Sequence, residues 1–439
     1  MRRHKISKIS LMTIILMAYS LMGSYSFFTG SIGSMTWRLL YYGRYIVILF
    51  FGICCYLQLK KGEKKTARWI ISLLCMPGLV AFLYSCVLWM IHGTTMPYVT
   101  RGISNTLFKC IALAGGAAIA IRLKDDVIRC TIASSFLVYS ISLLIGLSTQ
   151  GFAMFKMLNV IGRGMSAAEN YVELHELAYV LGLYIVFFLY IYKNKKIKIT
   201  RGTTLLMLFF FALAWKRIGI LAVVILAFYG FFFYKKKPHK KAFFIMATGI
   251  AMVLVCHVYV SFSASNELAL ILRGYGINMM GRDIIYSYFR RFCTYSIDFP
   301  GRGIGFTGRQ FDYVTSAELY NMASVKALHN DFLKLFIELG FVGFAIWCAW
   351  WTIEIPTKIK NKIDINAAFS CMLLIMYTFI LYTTDNTDSY FNYQMQLGIL
   401  ISFICYSKCY TGRKGLFAID RHFFNSSQQT KTVQRNGKK

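Results

Sequence analysis

Residues 39–59 read LLYYGRYIVILFFGICCYLQL, and residues 60–65, which follow, read KKGEKK. About 20 apolar residues in a helix cross the ~30 Å hydrocarbon core of a bilayer. Lysines directly after such a run mark a cytoplasmic flank. Working outward, similar stretches lie at about 10–28, 69–91, 103–121, 128–147, 173–192, 203–215, 218–234, 242–261, 331–353, 367–383 and 391–407. The composition agrees, with 57% hydrophobic and only 15% charged residues. Soluble domains carry roughly 25% charged residues. A soluble, disordered or collagen-like chain is excluded, since there is no glycine period and Phe and Tyr abound. The predicted fold class is an all-α polytopic integral membrane protein with about 12 transmembrane helices. Residues 1–410 form a single helical domain that includes a long exterior loop at 262–330. Residues 411–439 are polar and basic and are predicted to be a disordered cytoplasmic tail. The first span has a basic start but no small-x-small cleavage site, so it is read as a retained helix.

The formal net charge is +31, from 49 Lys and Arg against 18 Asp and Glu. In a soluble protein this would point to nucleic acid. Here 33 of the 49 fall on one side once the spans alternate, with KKGEKK, KNKKIK and KKKPHKK together. The positive-inside rule then makes that side and both termini cytoplasmic, with no call for a nucleic-acid partner. The other 16 comprise 11 Arg and 5 Lys, whereas the inside holds 24 Lys and 9 Arg. Arg offers a planar fork suited to phosphate, so an Arg-rich exterior points to anion binding there. The competing reading pairs these arginines with lipid headgroups and with acids of their own loops. Of twelve cysteines, Cys293 alone lies in the long exterior loop, and no CxxC pair suggests zinc.

Two exterior loops exceed ordinary length. One, 148–172, carries Arg163, Glu169 and Asn170. In the other, Gly281-Arg282-Asp283 opens a segment to Arg291 with Ile285, Tyr286 and Phe289 at helical spacing, read as an amphipathic helix near the membrane surface. Pro300-Gly301-Arg302-Gly303-Ile304-Gly305 follows. It lacks the preceding strand of a dinucleotide site, and reads as a tight bend that returns the loop over the bundle.

Where that loop enters a membrane helix, residues 329–343 run from His329-Asn330-Asp331 through Glu338 to Gly340 and Gly343. At 100° per residue, Leu333, Phe336, Gly340 and Gly343 share the face of His329. Gly340 and Gly343 would let a neighbouring helix approach. Glu338 falls about 180° away and roughly 13 Å deeper, away from His329 and suited to a structural carboxylate. The run before Lys216-Arg217 is about 13 residues, ~20 Å as a helix, so Arg217 is expected in a recessed cavity, where an Arg is usually functional. Asp385 and Asp388 lie in a short exterior turn, where a divalent ion, helix capping and pairing with exterior Arg are all open.

His329-Asn330-x-x-Leu333-x-x-x-x-Glu338-x-Gly340-x-x-Gly343 resembles the hallmark of the O-antigen ligase/polymerase family of bacterial envelope glycosyltransferases. Trp215-Lys216-Arg217-Ile218-Gly219 resembles the family's Ser-Arg-Gly element, with Lys216 in place of Ser. Gly281-Arg282-Asp283, Pro300-x-x-Gly303-x-Gly305, and Arg163 with Glu169-Asn170 resemble three further elements, so the resemblance covers about residues 160–345. Tyr286 stands where the family often has Trp.

The resemblance implies a GT-C-like membrane glycosyltransferase without metal or other cofactor. Its donor would be an undecaprenyl-diphosphate-linked glycan at the outer leaflet of the bacterial plasma membrane. It implies His329 as catalytic base, Arg217, Arg282, Arg163 and Arg302 on the diphosphate, and Asn330, Glu338, Gly340 and Gly343 as supports. The chemistry suits these residue types. Arg forks stabilise a departing diphosphate, and His accepts a hydroxyl proton near pH 7.

The Phe/Tyr/Ile/Lys-rich composition points to an AT-rich genome and a Gram-positive cell, favouring a capsule or exopolysaccharide polymerase. Its partners would be the glycan donor, a glycan acceptor, the bilayer, and assembly proteins such as a flippase or chain-length regulator. The rivals are a ligase to another acceptor, a peptidoglycan polymerase of the shape-and-division type, and a polysaccharide flippase or transporter. Transporters show repeat symmetry, and no repeat is visible.

Overall fold

The computed structural model describes residues 7–31, 33–152, 154, 171–190, 201–265, 267–276, 282–313 and 327–410. The N-terminal half comprises α1 (Lys8–Met22), the short α2 (Ser26–Thr29), α3 (Met35–Leu57), α4 (Lys61–Ile91), α5 (Met96–Leu123) and α6 (Asp125–Gln150). Then come α7 (His175–Tyr190), α8 (Arg201–Leu213), α9 (Arg217–Phe233) and α10 (Pro238–Ala264). Three short helices lie in the 262–330 loop: α11 (Glu267–Gly274), α12 (Arg282–Arg290) and α13 (Phe306–Tyr313). Helix α14 (Asp331–Ala349) continues through a π-helical turn (Trp350–Glu354) into α15 (Ile355–Lys362), before α16 (Ile365–Tyr382) and α17 (Phe391–Tyr410). There is no strand among the described residues.

Each of the twelve predicted apolar stretches is helical over most of its length. Seven described helices are long and apolar enough to cross a membrane, and α1, α7, α8 and α9 are shorter apolar helices. The chain is thus a polytopic membrane protein. Its outward faces suit lipid, with Leu205, Phe209, Phe228, Phe231 and Leu254 each more than half exposed. In water such faces would be a liability.

Helix α5 is the axis on which α3, α4 and α17 pack. Its run IALAGGAAIAI (111–121) explains why. Small residues let membrane helices approach closely. A Cβ on Gly116 would lie 2.4 Å from the Met395 carbonyl oxygen of α17, and one on Gly52 of α3 would lie 2.9 Å from the Gly115 Cα.

The exterior loop is docked onto this bundle. Helix α12 buries Ile285, Tyr286 and Phe289, the face that the sequence spacing predicted. The Pro300–Gly305 bend does return over the bundle, and it enters a break in α14. Gly340 has φ 70° and ψ −175°, which interrupts the helix. Freed α14 backbone groups then pair with the loop. Arg302 N donates to Ile337 O (2.9 Å), Gly303 N to Glu338 O (2.8 Å), and Phe341 N to Phe299 O (2.9 Å). Irregular backbone inside a membrane protein is tolerated where its polar groups are re-paired in this way. Gly301, Gly303 and Gly305 all have φ near +90°, a region L side chains avoid.

This corrects the expectation for Gly340, which rested on an unbroken helix. Gly340 admits the Pro300 main chain, not a helix, since a Cβ there would lie 2.2 Å from the Pro300 carbonyl carbon. Gly343 does face a neighbouring helix, with the Tyr84 ring of α4 and Leu339 of its own helix both 3.2 Å from a built Cβ.

Candidate functional site

His329 precedes the helix it was expected to head. It has φ 51°, and Asn330 is the N-cap, its side chain accepting from Leu333 N at 2.9 Å. A left-handed backbone is uncommon for a non-glycine residue and persists where surroundings hold it. Here they do, because His329 N donates to Asn386 Oδ1 (2.9 Å) and His329 O accepts from the Tyr286 hydroxyl (3.3 Å). Asn330 Nδ2 reaches Tyr259 Oη and Ser263 Oγ, each at 3.3 Å.

The imidazole faces the turn after α16. Asn386 Nδ2 lies 3.2 Å from His329 Nδ1, and Asp385 Oδ1 lies 3.9 Å from the same nitrogen. Asp385 also accepts from Tyr179 Oη (2.5 Å) and Tyr390 Oη (2.9 Å). Burial alone would raise the Asp385 carboxyl. The adjoining His329, His175 and Lys216 and the Tyr179 hydroxyl outweigh burial and hold it well below the usual carboxylate range.

Asp388 behaves likewise. Burial opposes its charge, but Lys109 and Lys334 both ion-pair with it and keep it far below the ordinary value. Tyr382 Oη donates to it at 3.2 Å, and its own N–H donates to Asp331 Oδ2 at 2.7 Å. Both acids of the turn are therefore bound into cation and tyrosine networks. The pairing foreseen with arginines is made with lysines for Asp388.

The cation turned inward at the α8–α9 hairpin is Lys216, correcting the expectation for Arg217. Arg217 is exposed at the start of α9. The Lys216 side chain is 12% exposed, pairs with Glu173, and lies 3.0 Å from His175 Nε2. Arg282 opens α12, within electrostatic reach of Tyr179 and Tyr286, which bond Asp385 and His329 respectively.

Arg302 is tied elsewhere, its Nε donating to Phe292 O at 3.2 Å. Arg273 pairs with Asp283, and Arg309 with Asp312, so part of the exterior arginine excess serves the loop itself. Arg163, Glu169 and Asn170 lie outside the described residues, as does the 411–439 tail.

Glu338 is a buried structural carboxylate. Its Oε1 accepts from Gly305 N (3.1 Å), Thr307 N (3.2 Å) and Thr307 Oγ1 (2.5 Å). It thereby holds the start of α13.

His329 and Glu338 both line a cavity of about 810 Å³ between α3, α5, α13, α14 and the turn after α16. Lys109, Lys334, Arg44, Arg101 and Arg309 line it too, with Tyr41, Tyr45, Trp347 and Tyr390. His175 lines the cavity with His329 and brings Lys216 beside it. Sequence reasoning missed Glu173, His175 and Lys109. Their advance signal was that all three are ionisable residues within the apolar stretches 103–121 and 173–192, where such groups are usually functional. No group of three or more His, Cys, Asp or Glu suited to a metal ion occurs among the described residues.

Residues 202–348 match the family model described as O-antigen ligase. No curated protein and no solved structure matches the chain.

Proposed function

We propose that this chain, with its O-antigen ligase domain at residues 202–348, is a membrane glycosyltransferase that polymerises undecaprenyl-diphosphate-linked repeat units into surface polysaccharide. The observation that carries this reading is His329, beside an ionised Asp385 and open to a cavity large enough for sugar residues. The twelve helical stretches span a bacterial plasma membrane, with both termini cytoplasmic and His329 toward the outside. A transporter reading gives no reason for a strained histidine paired with a buried acid.

The acceptor hydroxyl gives its proton to His329 as its oxygen attacks the anomeric carbon. The bond from that carbon to the diphosphate breaks, and its electron pair leaves with the diphosphate. Arg217, Arg282 and Arg163 take up that charge bidentately. Arg302 acts through the loop it braces. Asn330 fixes the helix start, while Glu338, Gly340 and Gly343 fix loop and helix.

The resting hydrogen bonds also say what must move. Asn386 Oδ1 is occupied by the His329 amide, so its Nδ2 points at His329 Nδ1. An amide nitrogen only donates, so Nδ1 accepts and the ring proton sits on Nε2. For Nε2 to act as base, the proton must sit on Nδ1. Asp385 Oδ1, 3.9 Å away, is the group to receive that N–H after a shift of about 1 Å to hydrogen-bond length.

Arg217→Lys and Arg282→Lys are each expected to lower turnover about tenfold, or ~1.4 kcal/mol of barrier, because Lys keeps charge but loses the fork. Full activity and donor affinity in both Lys variants, measured with purified protein and lipid-linked donor, would make them generic positive anchors. Turnover is also expected to survive EDTA, since lysines and tyrosines already occupy Asp385 and Asp388. Loss on chelation with recovery by magnesium would assign that pair to a metal.

A further inference from the structure

The acids lining the cavity are all engaged. Asp388 holds two lysines, Asp312 pairs with Arg309, and Glu338 holds the start of α13. Glu176 accepts from Asn392 N and Tyr393 N. Arg44 is within electrostatic reach of Glu176, shares the Ser24 hydroxyl with it and donates to Tyr45 Oη, while its Nε has no acceptor. Arg101 also lines the cavity and is exposed. Its guanidinium is neither hydrogen-bonded nor ion-paired to any described residue. With Arg44 balanced by Glu176, the charge left without a described partner in this half of the cavity is that of Arg101.

Two contacts fix how α3 and α5 lie against each other. Tyr45 stacks on Phe108 with ring centroids 3.8 Å apart and planes within 5°. Seven residues further along each helix, Gly52 meets Gly115. Equal steps mean that the helices run in parallel with constant register. One turn back toward the N-terminal ends, Tyr41 and Tyr42 then stand level with Ser104 and Asn105, and all four line the cavity. One turn further, Arg38 stands level with Arg101. Like Arg101, Arg38 makes no side-chain hydrogen bond or ion pair with a described residue.

A groove with the exposed Tyr42 on one wall, a hydroxyl and an amide on the other, Arg101 lining it and Arg38 level with Arg101 has the chemistry of a saccharide site. Aromatic faces take the apolar faces of sugar rings, Ser and Asn take hydroxyls, and guanidinium takes a carboxylate.

We infer that the α3–α5 end of the cavity binds a saccharide bearing an anionic substituent, on the acceptor side of His329. The site's place on the acceptor side rests on the transferase reading; its binding of an anionic saccharide does not.

The test uses the full chain in phosphatidylcholine nanodiscs and two probes, cellobiose and cellobiouronic acid, with affinities read by saturation-transfer NMR. The uronate is expected to bind at least tenfold more tightly than the neutral sugar. Arg101→Gln or Arg38→Gln should erase most of that preference and spare cellobiose. Tyr42→Ala should weaken both sugars alike, since ring stacking ignores the charge. Equal affinities for the two probes, no binding of either, or an unchanged preference in both Gln variants would overturn the site. So would loss of uronate binding when phosphatidylglycerol is added, which would give the arginines to lipid headgroups. If the preference holds while lipid-linked donor is never turned over, the saccharide site stands and the transferase reading falls.

Discussion

His329→Ala should lower glycan transfer by 10²–10⁴-fold, about 3–5 kcal/mol of barrier, the usual consequence of removing a general base. Membrane insertion and donor binding should persist, because the contacts that hold this position are made by its backbone and by Asn386 and Tyr286. His329→Gln sharpens the test, since Gln donates a hydrogen bond but cannot take a proton. Near-normal turnover by the Gln variant would leave His329 as a group that only positions phosphate. Asp385→Asn should fall between wild type and His329→Ala. It removes the negative charge that favours Nδ1–H but leaves the imidazole in place. The readout is polymer length and initial rate with purified protein.

The second large effect belongs to stability. Glu338→Leu strips the acceptor from two buried amides and one hydroxyl. An unpaired buried donor costs about 1–3 kcal/mol, so the variant should lose 3 kcal/mol or more and release the exterior loop to limited proteolysis. Glu338→Gln keeps an acceptor oxygen and should retain most of the docking. If Glu338 were instead a reacting group, Gln would abolish turnover while thermal unfolding and proteolysis stayed as in wild type. Gly340→Ala should resemble the Leu variant, because its Cβ would collide with Pro300 in a backbone region that Ala resists.

The helices were legible because a bilayer imposes a length and an apolar composition on every span. The buried face of α12 was legible because Ile285, Tyr286 and Phe289 recur at helical spacing. His329, Asn330 and Glu338 stood out as polar residues at the mouth of an apolar helix. Rotation at 100° per residue failed at Gly340, since it presumes a continuous helix and the break depends on a segment forty residues upstream. Lys216 was also misjudged beside Arg217. Which of two adjacent cations turns inward is decided by Glu173 and His175, and no local pattern links 173–175 to 216. The Lys109–Asp388–Lys334 network is equally long-range, its members drawn from α5, the turn after α16, and α14.

The strap across the α14 break also has a consequence for chain synthesis and for exchange between relatives. Residues 299–303 are made before 337–341, so the loop has nothing to dock on until α14 has emerged from the ribosome. Until then Arg302 and Gly303 hold amides without their Ile337 and Glu338 carbonyl partners. The break itself is complete only when the loop returns to it. Loop and helix are therefore one assembly unit that closes late. A chimera that takes its exterior loop from another chain will have to take the α14 segment through Phe341 with it, or the seam will be left open on both sides.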